Sequence, residues 1–398
     1  MSDILQALLS IESVVPPGKD YKVFATYSSN LLKSLGMDVA VEEVPRSVIS
    51  QYNPDYADHL RYIVLARLGS GRPVFHFNGH YDVVPQGHGW TKGPFSATVS
   101  RGRVYGRGAS DMKGGIASVM LALKSLVESG AGLHGTLEVS LTPDEEIGGH
   151  AGVEYMLQSG LSKPDCVMIA EPTGVDKILI GHKGSLQVLV EVHGENAHGS
   201  MPWRGLNAFE GMVGAASEIQ RRYAALVGGR RSRLHYSDPN AARPTAMFGG
   251  IARGGDQQNL VPAYSAFSID RRIIPEEDPK EVEKELLDCI ASVGKMPRYQ
   301  KYRLETKVLN RVKPAATDLH SEFLSKVREA VSTVQGTAPQ LEMAVGAMDA
   351  GYFIARGIDA VAYGPGELEQ AHVADESVAL SDVLSVADVY TTLTKKLL

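Results

Sequence analysis

The order of strand-like and helix-like segments changes near residue 183, and this change constrains the fold more than any other feature. Before it, strand-like apolar runs alternate with helical patterns, as in "GGIASVMLALKSLVESG" followed by "GTLEVSLTP". Such alternation is typical of a mostly parallel sheet with helices on both faces. After it, "SLQVLVEVHG" alternates apolar and polar residues with a period of two, which indicates a strand with one buried face.

The segments after residue 183 follow the order strand, helix, strand, strand, helix, strand. This order is the split β-α-β arrangement, a small antiparallel sheet with helices on one face. From about residue 312 the earlier alternation resumes. The sequence therefore predicts an α/β domain of residues 1–182 and 312–398, with an α+β, ferredoxin-like domain of residues 183–311 inserted into it.

Charge and composition exclude some classes of protein. The chain has 46 acidic and 40 basic residues, whereas nucleic-acid-binding proteins usually carry a basic stripe. No apolar run approaches the roughly 18 residues of a membrane span, and the N-terminal residues do not resemble a signal peptide. Cys166 and Cys289 lie in apolar stretches, which indicates buried thiols in a reducing compartment. We therefore expect a cytoplasmic protein with neither a nucleic-acid nor a membrane partner.

Three consecutive carboxylates, Asp144, Glu145 and Glu146, stand at the end of an apolar strand in "LTPDEEIGGH". Carboxylates this close together resist ionising at once unless cations neutralise them. Pro143 and the glycines that follow indicate that the chain leaves the strand here, so both glutamates can turn towards one site. Two explanations are open: a metal site with one glutamate as ligand and the other as general base, or solvation on an exposed loop.

Other imidazole and carboxylate side chains also stand at predicted strand ends or in loops. His80 and Asp82 in "NGHYDVVP" share one face of a strand, so Asp82 can orient a metal-binding His80; a surface histidine beside a turn is the alternative. Asp111 in "GRGASDMKGG" is either a helix cap or a ligand. Glu171 ends the strand "CVMIAE", and His372 lies in the polar segment "EQAHVADE".

The glycines around Asp111 also resemble a phosphate-binding loop, but the spacing of known phosphate motifs is absent, since Gly114 follows Lys113. Five imidazole and carboxylate ligands exceed what one zinc ion usually takes. They suit two ions about 3.5–4 Å apart, bridged by one carboxylate. The predicted ligands are His80, Asp111, Glu146, Glu171 and His372.

Six motifs in chain order carry a resemblance to a known family. They are "HYDVVP", "GRGASDMKGG", "TPDEEIGG", "AEPTG", "ENAHGSMPWRGLNA" and "SIDRRIIP". Together they resemble the dinuclear-zinc acylamino-acid deacylases and carboxypeptidases, which include acetylornithine deacetylase, succinyl-diaminopimelate desuccinylase, aminoacylase and glutamate carboxypeptidase. The ordered set is far more specific than any single motif.

The resemblance implies an enzyme that hydrolyses the amide bond of an N-acyl amino acid with two divalent metal ions. Zinc is the expected metal, although carboxylate-rich sites also accept cobalt or manganese. A dipeptidase or carboxypeptidase on the same two metals is the alternative activity. An inactive relative that binds a peptide or an amino acid is the alternative from another class.

The resemblance also assigns roles to single residues. It makes Asp111 the ligand that bridges both ions, Glu145 the general base and Asp82 the residue that orients His80. It further implies a cis peptide bond between Asp111 and Met112. The remaining ligands form one pair for each ion: His80 with Glu171, and Glu146 with His372.

The inserted domain resembles the family's lid, through which subunits form a homodimer. His198 matches the histidine that reaches into the active site of the other subunit and stabilises the oxyanion. Asn259 and Arg272 match residues that hold the substrate, since a guanidinium binds both oxygens of a carboxylate. Alternative roles are an ion pair between Arg272 and Asp270 and a turn position for His198.

Some positions depart from the family's pattern. Met348 in "GAMDAGYF" stands where relatives commonly have serine or threonine, and "AHVADE" lacks the Pro-Asn often found between His372 and Glu376. Lys183 in "HKGS" stands where desuccinylases tend to have two arginines, which weakens the case for a dicarboxylate acyl group. The acyl group therefore stays open, and Asp144 receives no role beyond its loop.

Overall fold

The computed structural model describes residues 2–130 and 132–398 and divides the chain into two compact units. The α/β unit comprises Met1–Gly181, Thr317–Glu342 and Met348–Leu398, and the α+β unit comprises His182–Ala316 and Met343–Ala347. The assignment of Met343–Ala347 to the α+β unit has no counterpart in the predicted boundaries.

Several helices begin where the sequence supplies a capping side chain. Asn207, Asp278 and Ser321 each accept a backbone N–H from the first turn of the helix that follows, which satisfies a donor that has no partner within the helix. In chain order the helices are α1 (Ser2–Leu9), α2 (Tyr21–Ser34), α3 (Arg46–Tyr52), α4 (Lys113–Glu128), α5 (Tyr155–Gln158), α6 (Ala208–Val227), α7 (Pro279–Gly294), α8 (Glu322–Gln335), α9 (Ala350–Ile354) and α10 (Leu380–Leu397).

The strands follow the apolar runs of the sequence. β3, β6 and β7 are almost entirely buried, as expected for strands covered on both faces. In chain order the strands are β1 (Asp38–Glu43), β2 (Tyr62–Gly69), β3 (Val74–His80), β4 (Thr98–Ser100), β5 (Arg103–Tyr105), β6 (Thr136–Thr142), β7 (Cys166–Ile169), β8 (Gly174–His182), β9 (Gly184–His193), β10 (Ala197–His198), β11 (Thr245–Gly254), β12 (Leu260–Val261), β13 (Tyr264–Ile273), β14 (Arg303–Val312), β15 (Ala315–Ala316), β16 (Gln340–Ala344), β17 (Asp359–Gly364) and β18 (Ser377–Ala379).

The central sheet of the α/β unit has the strand order β1-β2-β6-β3-β7-β17-β8. The four central strands, β6, β3, β7 and β17, pair in parallel. The outer strands β1, β2 and β8 pair antiparallel. The predicted parallel arrangement is therefore confirmed at the centre, whereas the whole sheet is mixed, because antiparallel edge strands are common on such sheets.

Helices cover both faces of this sheet, as predicted. The ring of Phe77 on β3 lies 4.8 Å from the ring of Tyr390 on α10. The ring of His76, the preceding residue, lies 5.7 Å from that of Phe353 on α9. Adjacent residues of a strand point to opposite faces, so α9 and α10 lie on opposite sides of β3.

The α+β unit has the predicted ferredoxin-like arrangement. Its antiparallel sheet has the order β11-β13-β9-β14, with α6 and α7 packed against it. Leu186, Val188 and Val190, which alternate along β9, are buried with Ile219 of α6 and Leu286 of α7. This one-sided core explains the period of two in the sequence.

Two further expectations concern the thiols and the membrane. Cys166 is buried and Cys289 is half-buried, and both are free thiols. Among the residues that the structure describes, no helix combines the length and the apolar character that crossing a bilayer requires.

Candidate metal centre

The carboxyl ends of three neighbouring parallel strands bring together two predicted ligands, His80 and Glu171, and the predicted base Glu145. His80 is the last residue of β3, Glu145 follows the end of β6 by three residues, and Glu171 follows the end of β7 by two. β3 pairs in parallel with both β6 and β7, so these three ends lie at one edge of the sheet. Ligand sites of α/β sheets form at this edge.

Asp111 stands between two histidines. Its Oδ1 lies 3.0 Å from Nε2 of His80, and its Oδ2 lies 3.4 Å from Nε2 of His372. Nε2 of His80 also lies 3.7 Å from Oε1 of Glu171, and Nε2 of His372 lies 3.0 Å from Oε1 of Glu146. The structure thus gathers all five predicted ligands into two clusters that share the Asp111 carboxylate.

The donor set is of the kind that binds divalent cations. Ligand atoms of His80, Asp111 and Glu146 lie within 4.8 Å of one another, and so do those of His80, Glu145 and Glu171. Burial raises the pKa of Glu145 and of Glu171, and neighbouring carboxylates raise both further. A cation between these groups would remove that electrostatic cost.

The negative charge of these carboxylates raises the pKa of both histidines. Burial alone would lower the pKa of His80, but hydrogen bonds with Asp111 and Asp82 raise it well above its usual range. Hydrogen bonds with Asp111 and Glu146 raise the pKa of His372 to about 10. In both cases the neighbouring carboxylates stabilise the charged form of the imidazole.

Asp82 connects β3 to the acidic turn. Its carboxylate accepts the backbone N–H of Glu145 at 3.3 Å and that of Glu146 at 3.1 Å. One of its oxygens lies 3.5 Å from Nδ1 of His80. This aspartate therefore contacts a predicted ligand and the backbone that carries the predicted base.

The acidic turn leaves the strand where the sequence predicted. β6 ends at Thr142, and residues 145–147 form a short 3-10 turn. Gly149 has a φ of +67°, and a Cβ there would lie 2.6 Å from Oδ1 of Asp349, so only glycine fits. The peptide bond between Asp111 and Met112 is cis, as the resemblance implied.

A buried ion pair that sequence reasoning missed lies behind Asp111 and His372. Glu376 accepts the backbone N–H of Ser110 at 2.9 Å and that of Asp111 at 3.1 Å. Nη1 of Arg107 donates to the other Glu376 oxygen at 2.7 Å, and Nη2 donates to the carbonyl oxygen of His372 at 3.4 Å. The ion pair of Arg107 and Glu376 thus binds the backbone at Asp111 and the backbone at His372.

We expect Glu376→Gln to weaken zinc binding about 10–100-fold, because the groups that orient ligands have effects of this size. The amide oxygen of the glutamine can still accept hydrogen bonds from the two backbone N–H groups. Its amide nitrogen would then face the Arg107 guanidinium, and two hydrogen-bond donors would be in contact without an acceptor. A competition titration of the metal-free protein with a chelator measures the change.

The neighbouring Asp375→Asn is the matched control, because the hydrogen-bond partners of the Asp375 side chain among the described residues are Thr91 and Lys92. We expect this variant to keep the wild-type zinc affinity. Equal affinities for Glu376→Gln and Asp375→Asn would show that Glu376 does not support the ligands.

Asp349 is a second residue that sequence reasoning missed. It is buried, and its Oδ2 has no hydrogen-bond partner among the described residues. Burial raises the pKa of Asp349 to about 7, and its charge raises the pKa of Glu145 and Glu171. The only sequence signal was its position after Met348 in the glycine-rich segment.

The α+β unit carries the three other predicted site residues. His198 is exposed, and its Nδ1 lies 2.7 Å from Oγ of Ser200. Gly199 donates its N–H to the carbonyl oxygen of Asn259 at 2.7 Å, so His198 and Asn259 lie close together. Arg272 forms the ion pair with Asp270 that the sequence left open as an alternative, at 3.0 Å. Their roles towards a substrate stay predictions.

Comparison with known proteins gives one family match. A model of the peptidase family M20/M25/M40 matches residues 76–396. A probable succinyl-diaminopimelate desuccinylase of Staphylococcus aureus is 28% identical over 352 residues, which cover 82% of this chain and 84% of the relative. The succinyl-diaminopimelate desuccinylase of Wolinella succinogenes is 29% identical over 391 residues, with coverages of 96% and 95%.

Solved structures share the fold over almost the whole chain. An M20 family metallo-carboxypeptidase of Sulfolobus solfataricus superposes with a TM-score of 0.75 at 22% identity and covers 98% of this chain and 97% of its own. Human carnosine dipeptidase 1 superposes with a TM-score of 0.75 at 18% identity, with coverages of 99% and 95%.

Proposed function

The chain belongs to the peptidase family M20/M25/M40, and from this premise we propose that it hydrolyses the amide bond of an N-acyl amino acid. The observation that carries the proposal is the Asp111 carboxylate, which turns one oxygen towards His80 and the other towards His372. Glu145 lies beside His80 and Glu171, and we assign its carboxylate to proton transfer and not to the metal.

The site would hold two divalent ions, with zinc the expected metal and cobalt or manganese also suitable. Asp111 would be shared between them. When bound, such ions lower the pKa of a water molecule and polarise the carbonyl group of the substrate. The other ligands are assigned in pairs: His80 with Glu171, and Glu146 with His372.

In this proposal Glu145 is the general base. Its carboxylate accepts a proton from the attacking water and then delivers it to the nitrogen of the leaving amine. Asp82 fixes the base from behind, because it accepts the N–H of Glu145 while it contacts His80.

We assign substrate binding to the α+β unit. Arg272 would bind the free carboxylate of the amino acid, Asn259 would also contact the substrate, and the exposed His198 would stabilise the oxyanion in the partner subunit of a homodimer. Phe209 and Val213, one turn apart on α6, are each 52% exposed, which supports an apolar subunit interface on this unit. The compartment we propose is the cytoplasm.

A substrate panel tests the proposed activity. We expect the zinc-loaded protein to hydrolyse an N-acetyl or N-succinyl amino acid with a kcat/KM at least about tenfold above that of any dipeptide, a difference of about 1.4 kcal/mol in transition-state binding. The acyl group with the highest kcat/KM identifies the natural class. Release of the free amine is the measurement.

A higher kcat/KM for dipeptides would replace the deacylase with the peptidase that the sequence left as the alternative. If a protein with two bound zinc ions hydrolyses neither class, the proposed function is wrong. Glu145→Gln, prepared in the same way, is the control for contaminating hydrolases.

A further inference from the structure

Asp144, the first acid of "DEEIGG", turns its side chain into the protein interior. The residue is 1% exposed, and its Oδ2 accepts a hydrogen bond from Nε of Arg61 at 2.8 Å. Its Oδ1 accepts one from the hydroxyl of Tyr21 at 2.9 Å. Both carboxylate oxygens thus have fixed partners within the chain, and Asp144 is absent from the candidate ligand groups of the described residues.

Arg61 itself has little freedom to move. It is completely buried, and its Nη1 donates to the carbonyl oxygens of His59 at 2.5 Å and Tyr56 at 3.4 Å. A Cβ on Gly18 would lie 2.9 Å from this nitrogen, so the backbone of Gly18 packs closely against the guanidinium. The position of the Asp144 carboxylate is therefore determined by a fixed partner.

Tyr21 connects Asp144 with the strand that carries His80. Its ring packs edge-on against Tyr81, with the ring centres 5.0 Å apart. Tyr81 stacks on Phe24 at 4.5 Å and lies between His80 and Asp82 in the chain. The rings of Tyr21, Tyr81 and Phe24 thus link the Asp144 side chain to the end of β3, and their packing restricts its movement.

The backbone of Asp144 starts the turn that presents the two glutamates. Its φ of +64° is left-handed, a conformation that aspartate and asparagine adopt more readily than most residues. Its carbonyl oxygen accepts the N–H of Gly149 at 2.7 Å and that of Ile147 at 3.3 Å, which closes the turn. Rotation of this residue would displace the Glu145 and Glu146 side chains that follow it.

A buried ion pair is a poor source of net stability, because removing two charges from water offsets much of their attraction. Its geometric effect is larger, since one directed hydrogen bond from Arg61 and one from Tyr21 hold the two carboxylate oxygens. We propose that Arg61, Asp144 and Tyr21 form a positioning cluster that sets the acidic turn, and through it places Glu145 for proton transfer and Glu146 for metal binding. This inference rests on the proposed function of both glutamates.

The test is Asp144→Asn, which keeps the shape and the tolerance for a left-handed backbone but removes the negative charge that pairs with Arg61. We expect kcat to fall about 10–100-fold, because displacements of about 1 Å reduce rates by this order. KM should change by less than about threefold, since the substrate contacts are untouched. The weaker of the two zinc dissociation constants should rise about tenfold.

Glu138→Gln is the matched control, because Glu138 lies on β6 and is also a buried carboxylate paired with an arginine, Arg67. We expect it to lower the midpoint of urea unfolding, as Asp144→Asn does, while kcat and both zinc dissociation constants stay within about twofold of wild type. A cluster with only a structural role would make the two variants alike. That result would overturn the proposal.

Tyr21→Phe keeps the proposal testable if Asp144→Asn does not fold. It removes one hydrogen bond, and we expect a fall in kcat of about threefold to tenfold at unchanged KM. An unchanged kcat and an unchanged zinc affinity in this variant would also overturn the proposal.

The zinc titration requires no substrate, so it separates this inference from the proposed activity. If the wild type binds two zinc ions but hydrolyses no N-acyl amino acid, the proposed function fails on its own. The positioning cluster is then judged by zinc affinity alone, and a wild-type affinity in Asp144→Asn would contradict it.

Discussion

Replacing Glu145 with glutamine is expected to lower kcat by about 10³–10⁴-fold, which corresponds to about 4–5.5 kcal/mol in the activation barrier. The amide occupies the same volume but accepts no proton from water. Zinc content should stay near two ions per chain, because the five predicted ligands are untouched. Steady-state kinetics on the best substrate of the panel, with metal analysis of the same sample, measures both quantities.

Glu154→Gln is the control for the loss of a nearby acid. Glu154 lies nine residues further along the chain and bonds to His150 and Gln158. We expect its kcat to stay within about twofold of wild type. A Glu145→Gln enzyme with two zinc ions and near wild-type turnover would remove Glu145 from the mechanism and would require another group to accept the proton.

The sequence could predict part of the site because two ligands and the predicted base follow a local signal. His80, Glu145 and Glu171 come at or just after apolar runs of strand length, and parallel pairing of β3, β6 and β7 then brings their ends together. The one-sided core of β9 followed from its period of two. Patterns of this kind extend over only a few neighbouring residues, so they can be recognised in a single sequence.

The groups that support the ligands could not be predicted in this way. Asp144 and Arg61 are 83 residues apart, and Arg107 and Glu376 are 269 apart. No local pattern distinguishes an arginine that pairs with a distant carboxylate in the interior from one that is exposed. The pairing depends on how the two distant segments pack in the folded protein. Asp144 therefore looked like one more charge of a loop, although it is nearly as buried as the core residues.

The two ion pairs have a common arrangement. Each joins an arginine to a carboxylate next to a ligand-bearing turn: Arg61 with Asp144 behind Glu145, and Arg107 with Glu376 behind Asp111. Both pairs are almost fully buried, so they hold their turns through directed hydrogen bonds that water does not compete for. Among the five predicted ligands His372 is the most exposed, with 49% of its side chain accessible, whereas the side chain of His80 is 1% exposed.

The second large effect is expected at the shared ligand. Asp111→Asn leaves a single, neutral oxygen for cations, and the amide nitrogen cannot bind one, so one ion should lose this ligand and the other should be held more weakly. We expect zinc content to fall from about two ions per chain to below one, with hydrolysis reduced by more than about 10³-fold. Metal analysis after gel filtration in zinc-free buffer measures the first effect and the substrate assay the second.

Thermal unfolding gives a readout of Asp111 that is independent of activity. Zinc at 100 times its dissociation constant should stabilise the wild type by about 2.7 kcal/mol, and so raise its Tm. The same zinc concentration should leave the Tm of Asp111→Asn almost unchanged, whereas Glu145→Gln should respond as the wild type does. This contrast separates a ligand from a base, since both variants neutralise one carboxylate of the same cluster. Full zinc binding by Asp111→Asn would show that Asp111 is not shared between two ions.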